Sequence, residues 1–104
     1  MEVSKSDWKL FRARIGDWQE AYMERLVKEY VDLLDGAENA SDKFWKLEER
    51  IKKDKKHPGV MLELCKGNMI CDIVALIKGG VITMADLEGF SDEIKESVNS
   101  LLHR

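Results

Sequence analysis

Proline occurs once in this chain, at Pro58, and cysteine and histidine twice each among 104 residues. Scarce proline leaves long stretches free to be helical, because nothing in them lacks a backbone N–H or clashes with the preceding turn. Scarce histidine and cysteine exclude the commonest zinc sites. His57 and His103 are far apart, and neither has a partner at metal spacing or stands in a catalytic motif. No catalytic residue, metal or cofactor is therefore expected, and the chain reads as a non-enzyme. A long apolar run without charge is also missing. Residues 60–77 come nearest, with thirteen apolar residues of 18, but Glu63, Lys66 and Asp72 interrupt them. Each would cost roughly 2.5–3.5 kcal/mol near a bilayer centre. The segment is also shorter than the roughly 20 residues a span needs. It predicts a buried central helix. The N-terminus lacks a charged region followed by an apolar run, so no secretory signal is expected and the cytoplasm is the expected compartment.

Apolar residues make up 44% of the chain, enough for a core, and charged residues 36%, which suits helices with one solvated face. Ser4 or Ser6 can cap a first helix, with Asp7 in its first turn. Trp8, Phe11, Ile15, Trp18, Tyr22, Leu26, Tyr30 and Leu33 then recur at steps of three or four, which is helical periodicity. Gly16 is a candidate bend, and Gly36 a left-handed C-terminal cap. Ser41 is the expected cap of a second helix with Phe44, Leu47 and Ile51 on one face and Trp45 beside it. The short loop between the two helices makes them an antiparallel hairpin. Pro58 is placed to open the third helix, and Gly79-Gly80 to end it in a Schellman turn against Val81. Thr83-Met84-Ala85-Asp86 has the form of a capping box with Asp for Glu, opening a short helix through Leu87. Ser91 caps a last helix that turns Ile94, Val98, Leu101 and Leu102 inward. The expected fold is all-α: a compact single domain over residues 1–104, four to five helices around the central apolar one.

Cys65 and Cys71, on one predicted helix, would lie about 240° apart around the axis and roughly 9 Å apart along it. That is beyond a disulfide, and two small core residues are expected. Trp8, Trp18 and Trp45 are expected in the core or the helix seam; one left exposed would be an interface anchor.

Charge is unevenly spread. Residues 50–57 hold five Lys or Arg against one Asp, in a chain of net charge −3. Arg50, Lys52, Lys53, Lys55 and Lys56 are a candidate basic contact patch for phosphate or an acidic protein surface. Equally, they can simply complement the C-terminal end of the second helix. Asp17, Glu20, Glu24, Glu29 and Asp32, followed by Asp35, are interleaved with the first helix's apolar stripe. They read as a solvated face or as an anionic surface that competes for a basic groove. Net acidity fits poorly with a protein whose main task is binding nucleic acid.

Five segments carry a resemblance: Ser6-Asp7-Trp8-Lys9-Leu10-Phe11-Arg12, Gly16-Asp17-Trp18-Gln19-Glu20-Ala21-Tyr22-Met23, Phe44-Trp45-Lys46-Leu47-Glu48, Asp54-Lys55-Lys56-His57-Pro58-Gly59-Val60 and Asp86-Leu87-Glu88-Gly89-Phe90-Ser91-Asp92. Together they resemble a family of small proteins from Firmicutes genomes and their mobile elements, often called multidrug transporters. The charges within residues 60–77 make transport physically implausible. The chain is similar to the small acidic type II anti-CRISPR proteins of such elements. That resemblance implies a non-enzymatic inhibitor whose partner is a Cas9-type effector or its ribonucleoprotein, blocked directly or at guide-RNA loading. The alternative is an accessory protein of a mobile element that binds nucleic acid through residues 50–57.

Overall fold

The computed structural model describes residues 2–104. The protein is an all-α single domain without a strand among the described residues. Four helices carry it: α1 (Lys5–Leu34), α2 (Ala40–Asp54), α3 (Met69–Lys78) and α4 (Asp92–Leu102). Short 3-10 turns at Lys66–Asn68 and Met84–Leu87 precede α3 and α4.

The core gathers where α3, α4 and the first half of α1 meet. Phe11, Met69, Ile73, Leu76, Leu87, Ile94 and Val98 are almost completely removed from water. Trp8, Phe11, Trp18 and Phe90 form an aromatic chain along one side, with successive ring centroids 6.0, 6.2 and 6.5 Å apart. Burying a side chain of this size contributes roughly 1.5–3 kcal/mol, so these few residues dominate the folding free energy.

Local signals set several boundaries. Ser4 caps α1, its hydroxyl accepting from the Asp7 N–H at 3.1 Å. At the end of α3, Val81 N–H reaches Leu76 O at 2.9 Å and Gly80 N–H reaches Ile77 O at 3.1 Å. This is the expected Schellman turn, and it requires a left-handed residue, supplied by Gly80 at φ 76°. The Asp86 carboxylate accepts from the Thr83 N–H at 2.7 Å, as the capping box requires. Ser91 caps α4 through the Ile94 N–H.

Other expectations are corrected. The third helix starts at Met69, not near Val60; Lys66-Gly67-Asn68 breaks the apolar run, and residues 61–65 have no regular structure. Pro58 lies in the preceding turn rather than at a helix start. Met61 and Leu64 are exposed, as are Cys65 and Cys71, which are therefore not core residues. Asn39, not Ser41, caps α2, accepting from the Asp42 N–H at 3.0 Å. Gly36 is not left-handed: α1 ends on Asp35 in a right-handed conformation. α1 passes through Gly16 without interruption.

A 30-residue helix is about 45 Å long, far longer than this small core. The second half of α1 therefore leaves the globule, and α2 returns along it as a hairpin arm. The molecule measures 52 × 26 × 20 Å, and its radius of gyration is 16.6 Å. A spherical chain of this length would have roughly 13 Å.

Candidate protein-interaction surface

The arm is held by a polar seam. The pairs Glu29–Arg50 and Tyr30–Asp54 connect the two helices in antiparallel register, and Glu38 of the loop between them pairs with Lys46 of α2. Arg50 lies 3.7 Å from Glu29 and 3.5 Å from Asp54, and its guanidinium covers the Tyr30 ring at 5.5 Å. Burial, then the hydrogen bond that the phenol donates to Asp54, pushes the Tyr30 pKa up to about 12. The half-buried residues of α2 are Lys43, Leu47, Arg50 and Asp54, spaced so that they form one stripe. No residue of α2 is fully buried.

At its base the arm is fixed to the globule by the corner His57-Pro58-Gly59. The His57 ring stacks on Tyr22 with centroids 4.5 Å apart, and its Nδ1 accepts from the Gly59 N–H at 3.0 Å. Gln19 Nε2 donates to Pro58 O at 3.0 Å. A Cβ on Gly59 would stand 2.3 Å from Tyr22 Cδ2, so only glycine fits this close approach. Arg25, from α1, donates to Gly80 O at 2.9 Å.

The seam uses the mostly polar side of α2, with Leu47 its apolar member, and leaves Phe44, Trp45 and Ile51 in water. Phe44 is 63% exposed and Trp45 64%, their rings edge to face at 5.1 Å. Ile51, with Val27, Val31 and Leu34 of α1, is also exposed. Among the described residues, six of the eight exposed large apolar ones thus lie on the arm. A groove of about 500 Å³ runs along α2 between Phe44, Leu47, Glu48, Ile51, Lys52 and Lys55. It adjoins a smaller recess of about 230 Å³ lined by Met23, Leu26, Val27, Tyr30 and Val60, with Ile51 and Lys55 shared by both. The two form one apolar front face. The opposite face, around Leu33, Lys46, Glu49, Arg50 and Lys53, is mostly charged.

The expected contact residues divide. Asp17, Glu20 and Glu24 are exposed and share one outer face of α1 by their spacing. Asp32 lies about 80° away from Glu24 around the axis, and Glu29 about 140° away, in the seam with Arg50. The five acidic positions are therefore not one surface. The basic cluster divides too. Arg50 is engaged by Glu29 and Asp54, whereas Lys52, Lys53, Lys55 and Lys56 are exposed around the end of α2. Trp45 is the exposed tryptophan; Trp8 and Trp18 pack against the core. That Phe44 and Ile51 would be exposed was hidden in the sequence, because with the half-buried Leu47 they have the spacing of a core stripe.

Among the described residues, no group of His, Cys, Asp or Glu is arranged to hold a metal ion. None of the helices is long and apolar enough to cross a membrane. A polar recess beside Arg14 and Trp18 is as large as the groove, but Arg14 is occupied with the carbonyls of Asp86 and Glu88. Comparison of the chain with protein-family models, curated proteins and solved structures finds no match.

Proposed function

We propose that this protein is a non-enzymatic binding module that presents its hairpin arm to another protein in the cytoplasm. One observation carries the reading: the exposed large apolar side chains gather on the arm, with Phe44 and Trp45 at their most open point. Aromatic anchors of this kind dominate protein interfaces, whereas scattered surface apolar residues do not. The partner we infer is the one the resemblance implies, a Cas9-type effector, with the protein acting as an anti-CRISPR inhibitor. Such effectors hold nucleic acid in positively charged channels. The outer ridge of Asp17, Glu20 and Glu24 beside the arm has the complementary sign.

The test is a cleavage assay with a Cas9-type nuclease, guide RNA and target DNA, with the protein added before or after guide loading. Inhibition should rise with molar ratio and saturate without turnover. The double variant Phe44→Ala/Trp45→Ala should remain folded and lose most inhibition. Neutralising Glu20 and Glu24, or adding salt, should slow association. No inhibition in either order across several orthologues would remove the effector as partner. Salt-sensitive binding to free RNA or DNA, lost with Lys52, Lys53, Lys55 and Lys56, would instead favour the nucleic-acid reading.

A further inference from the structure

The front face of the arm asks for an occupant of definite chemistry. On α2 it offers an apolar groove centred on Ile51, edged by Lys52 and Lys55 with Lys56 just beyond at the end nearer the globule, and by Glu48 at the outer end. The ligand that fits is a helix with apolar residues at i, i+4 and i+7 and an acidic edge. The same arm carries that helix. Val27, Val31 and Leu34 of α1 have this spacing and are 56%, 52% and 42% exposed, with Glu20 and Glu24 on the adjoining outer edge.

Resting on the reading of the arm as a protein-docking surface, we propose that the occupant of its front face is a second copy of this chain. The two arms pack face to face about a twofold axis along their length, α1 of each copy over α2 of the other. One isologous contact then covers both halves of the face at once.

Register and charge select this axis. Tyr30 meets Asp54, and Tyr22 stacks on His57, so Glu24 lies at about the same height on the arm as Lys55 and Lys56. A twofold along the arm preserves height. It sets the acidic edge of each α1 beside the basic edge of the partner's α2. A twofold across the arm would stack α1 on α1 and set like charges together, which is destabilising. The five exposed apolar side chains of the arm other than Trp45 leave on the order of 450 Å² in water, a large patch for a monomer, and the charged edges beside them supply the rest of the contact. A standard interface covers about 800 Å² per partner. Trp45 lies about 170° around α2 from the seam, outside this contact, and stays available to a different protein.

The test is sedimentation equilibrium of the full chain up to about 100 μM, where a micromolar interface is saturated. The expected result is a dimer. Ile51→Glu should give a monomer of unchanged helicity, because Ile51 is already 40% exposed. Glu24→Lys and Lys56→Glu should each weaken dimerisation by about tenfold or more, and the double variant should restore it. A monomer at the highest concentration, a dimer indifferent to Ile51→Glu, or no restoration in the double variant would overturn the proposal. A monomer whose Cas9 inhibition is still abolished by Phe44→Ala/Trp45→Ala would overturn the dimer alone and leave the arm's docking role standing.

Discussion

One helix serves two regions that are built in opposite ways. In its first half α1 buries Phe11 and Ile15 against α3 and α4, and the contact is apolar. In its second half only Leu26 is buried, and the contact with α2 rests on Glu29, Tyr30, Arg50 and Asp54. The globule therefore follows the usual rule in which apolar burial drives folding. The arm departs from it: the stripe of α2 that faces α1 is polar except for Leu47, while Phe44, Trp45 and Ile51 are exposed. An isolated helix of 15 residues is marginal in water, and a surface ion pair contributes at most about 1 kcal/mol. The aromatic side chains of α2, left outside, add little to the stability of the fold.

The largest test of this contrast is a matched pair of charges. Ile73→Asp places a carboxylate at a position with no exposure and should cost more than about 4 kcal/mol, much of a small domain's stability. Circular dichroism should show lost helix. Trp45→Asp, on the open side of the arm, should change the thermal midpoint by the equivalent of no more than about 0.5 kcal/mol. Equal effects would mean that the arm is part of the core.

The same contrast explains how much could be read from the residues. Several local chemical signals were legible: a Ser4 cap, the Ser91 cap, the Thr83–Asp86 box and the Gly79-Gly80 Schellman turn all form, whereas Ser41, Gly36 and Pro58 do not take the expected positions. The central helix starts later than its apolar run, because the run contains a break. Gly67 and Asn68 are poor helix formers in tandem, and they outweigh the apolar residues before them. Leu62 still packs on the core without being helical. The exposed apolar face of the arm was legible only as composition. Periodicity shows that Phe44, Leu47 and Ile51 share a face but not whether anything covers it. The acidic set was joined by sequence proximity, whereas helix geometry sends Glu29 into the seam.

A second test addresses the joint between the regions. Gly59→Ala would set a methyl 2.3 Å from the Tyr22 ring, so Tyr22 must leave its stack on His57. A cost of about 1–3 kcal/mol is expected. Hydrogen exchange should reveal it as faster opening of α2 and the corner, with α3 and α4 little changed. Uniform acceleration over all four helices would show that arm and globule open as one unit.

Within the globule, Asp7 offers a pH-dependent test. It is only 5% exposed. Burial alone would raise its pKa, but bonds from the Ser91 N–H at 2.9 Å, the Ser91 hydroxyl at 2.7 Å and the Ser4 hydroxyl at 3.0 Å outweigh that and hold it below its ordinary 3.8. A lowered folded pKa means that the carboxylate stabilises the fold above the ordinary value. This contribution is lost as pH falls through and below it. Asp7→Asn should cost about 1–3 kcal/mol at neutral pH, and thermal midpoints of variant and parent should converge on acidification. A constant difference across that range would deny the carboxylate its role in joining the starts of α1 and α4.

The smallest effect expected from losing a stabilising contact is in the arm's own seam. Tyr30→Phe removes one hydrogen bond to Asp54 and should cost about 0.5–1.5 kcal/mol. Little of this should register in the global midpoint, because the globule dominates it. Amide exchange in α2 should instead accelerate severalfold. The phenol supplies an independent readout. Its folded pKa is raised to about 12 from an ordinary 10, so its contribution is complete below pH 10. It is lost as pH climbs from there toward 12, when the phenolate faces Asp54 without a proton to share. Alkali should therefore loosen α2 before it unfolds α3 and α4, and Tyr30→Phe should abolish both that selective loosening and the titration step near pH 12. If α2 opens at the same pH in the variant, the Tyr30–Asp54 bond does not hold the arm. The ion pairs of Arg50 would then be its main attachment.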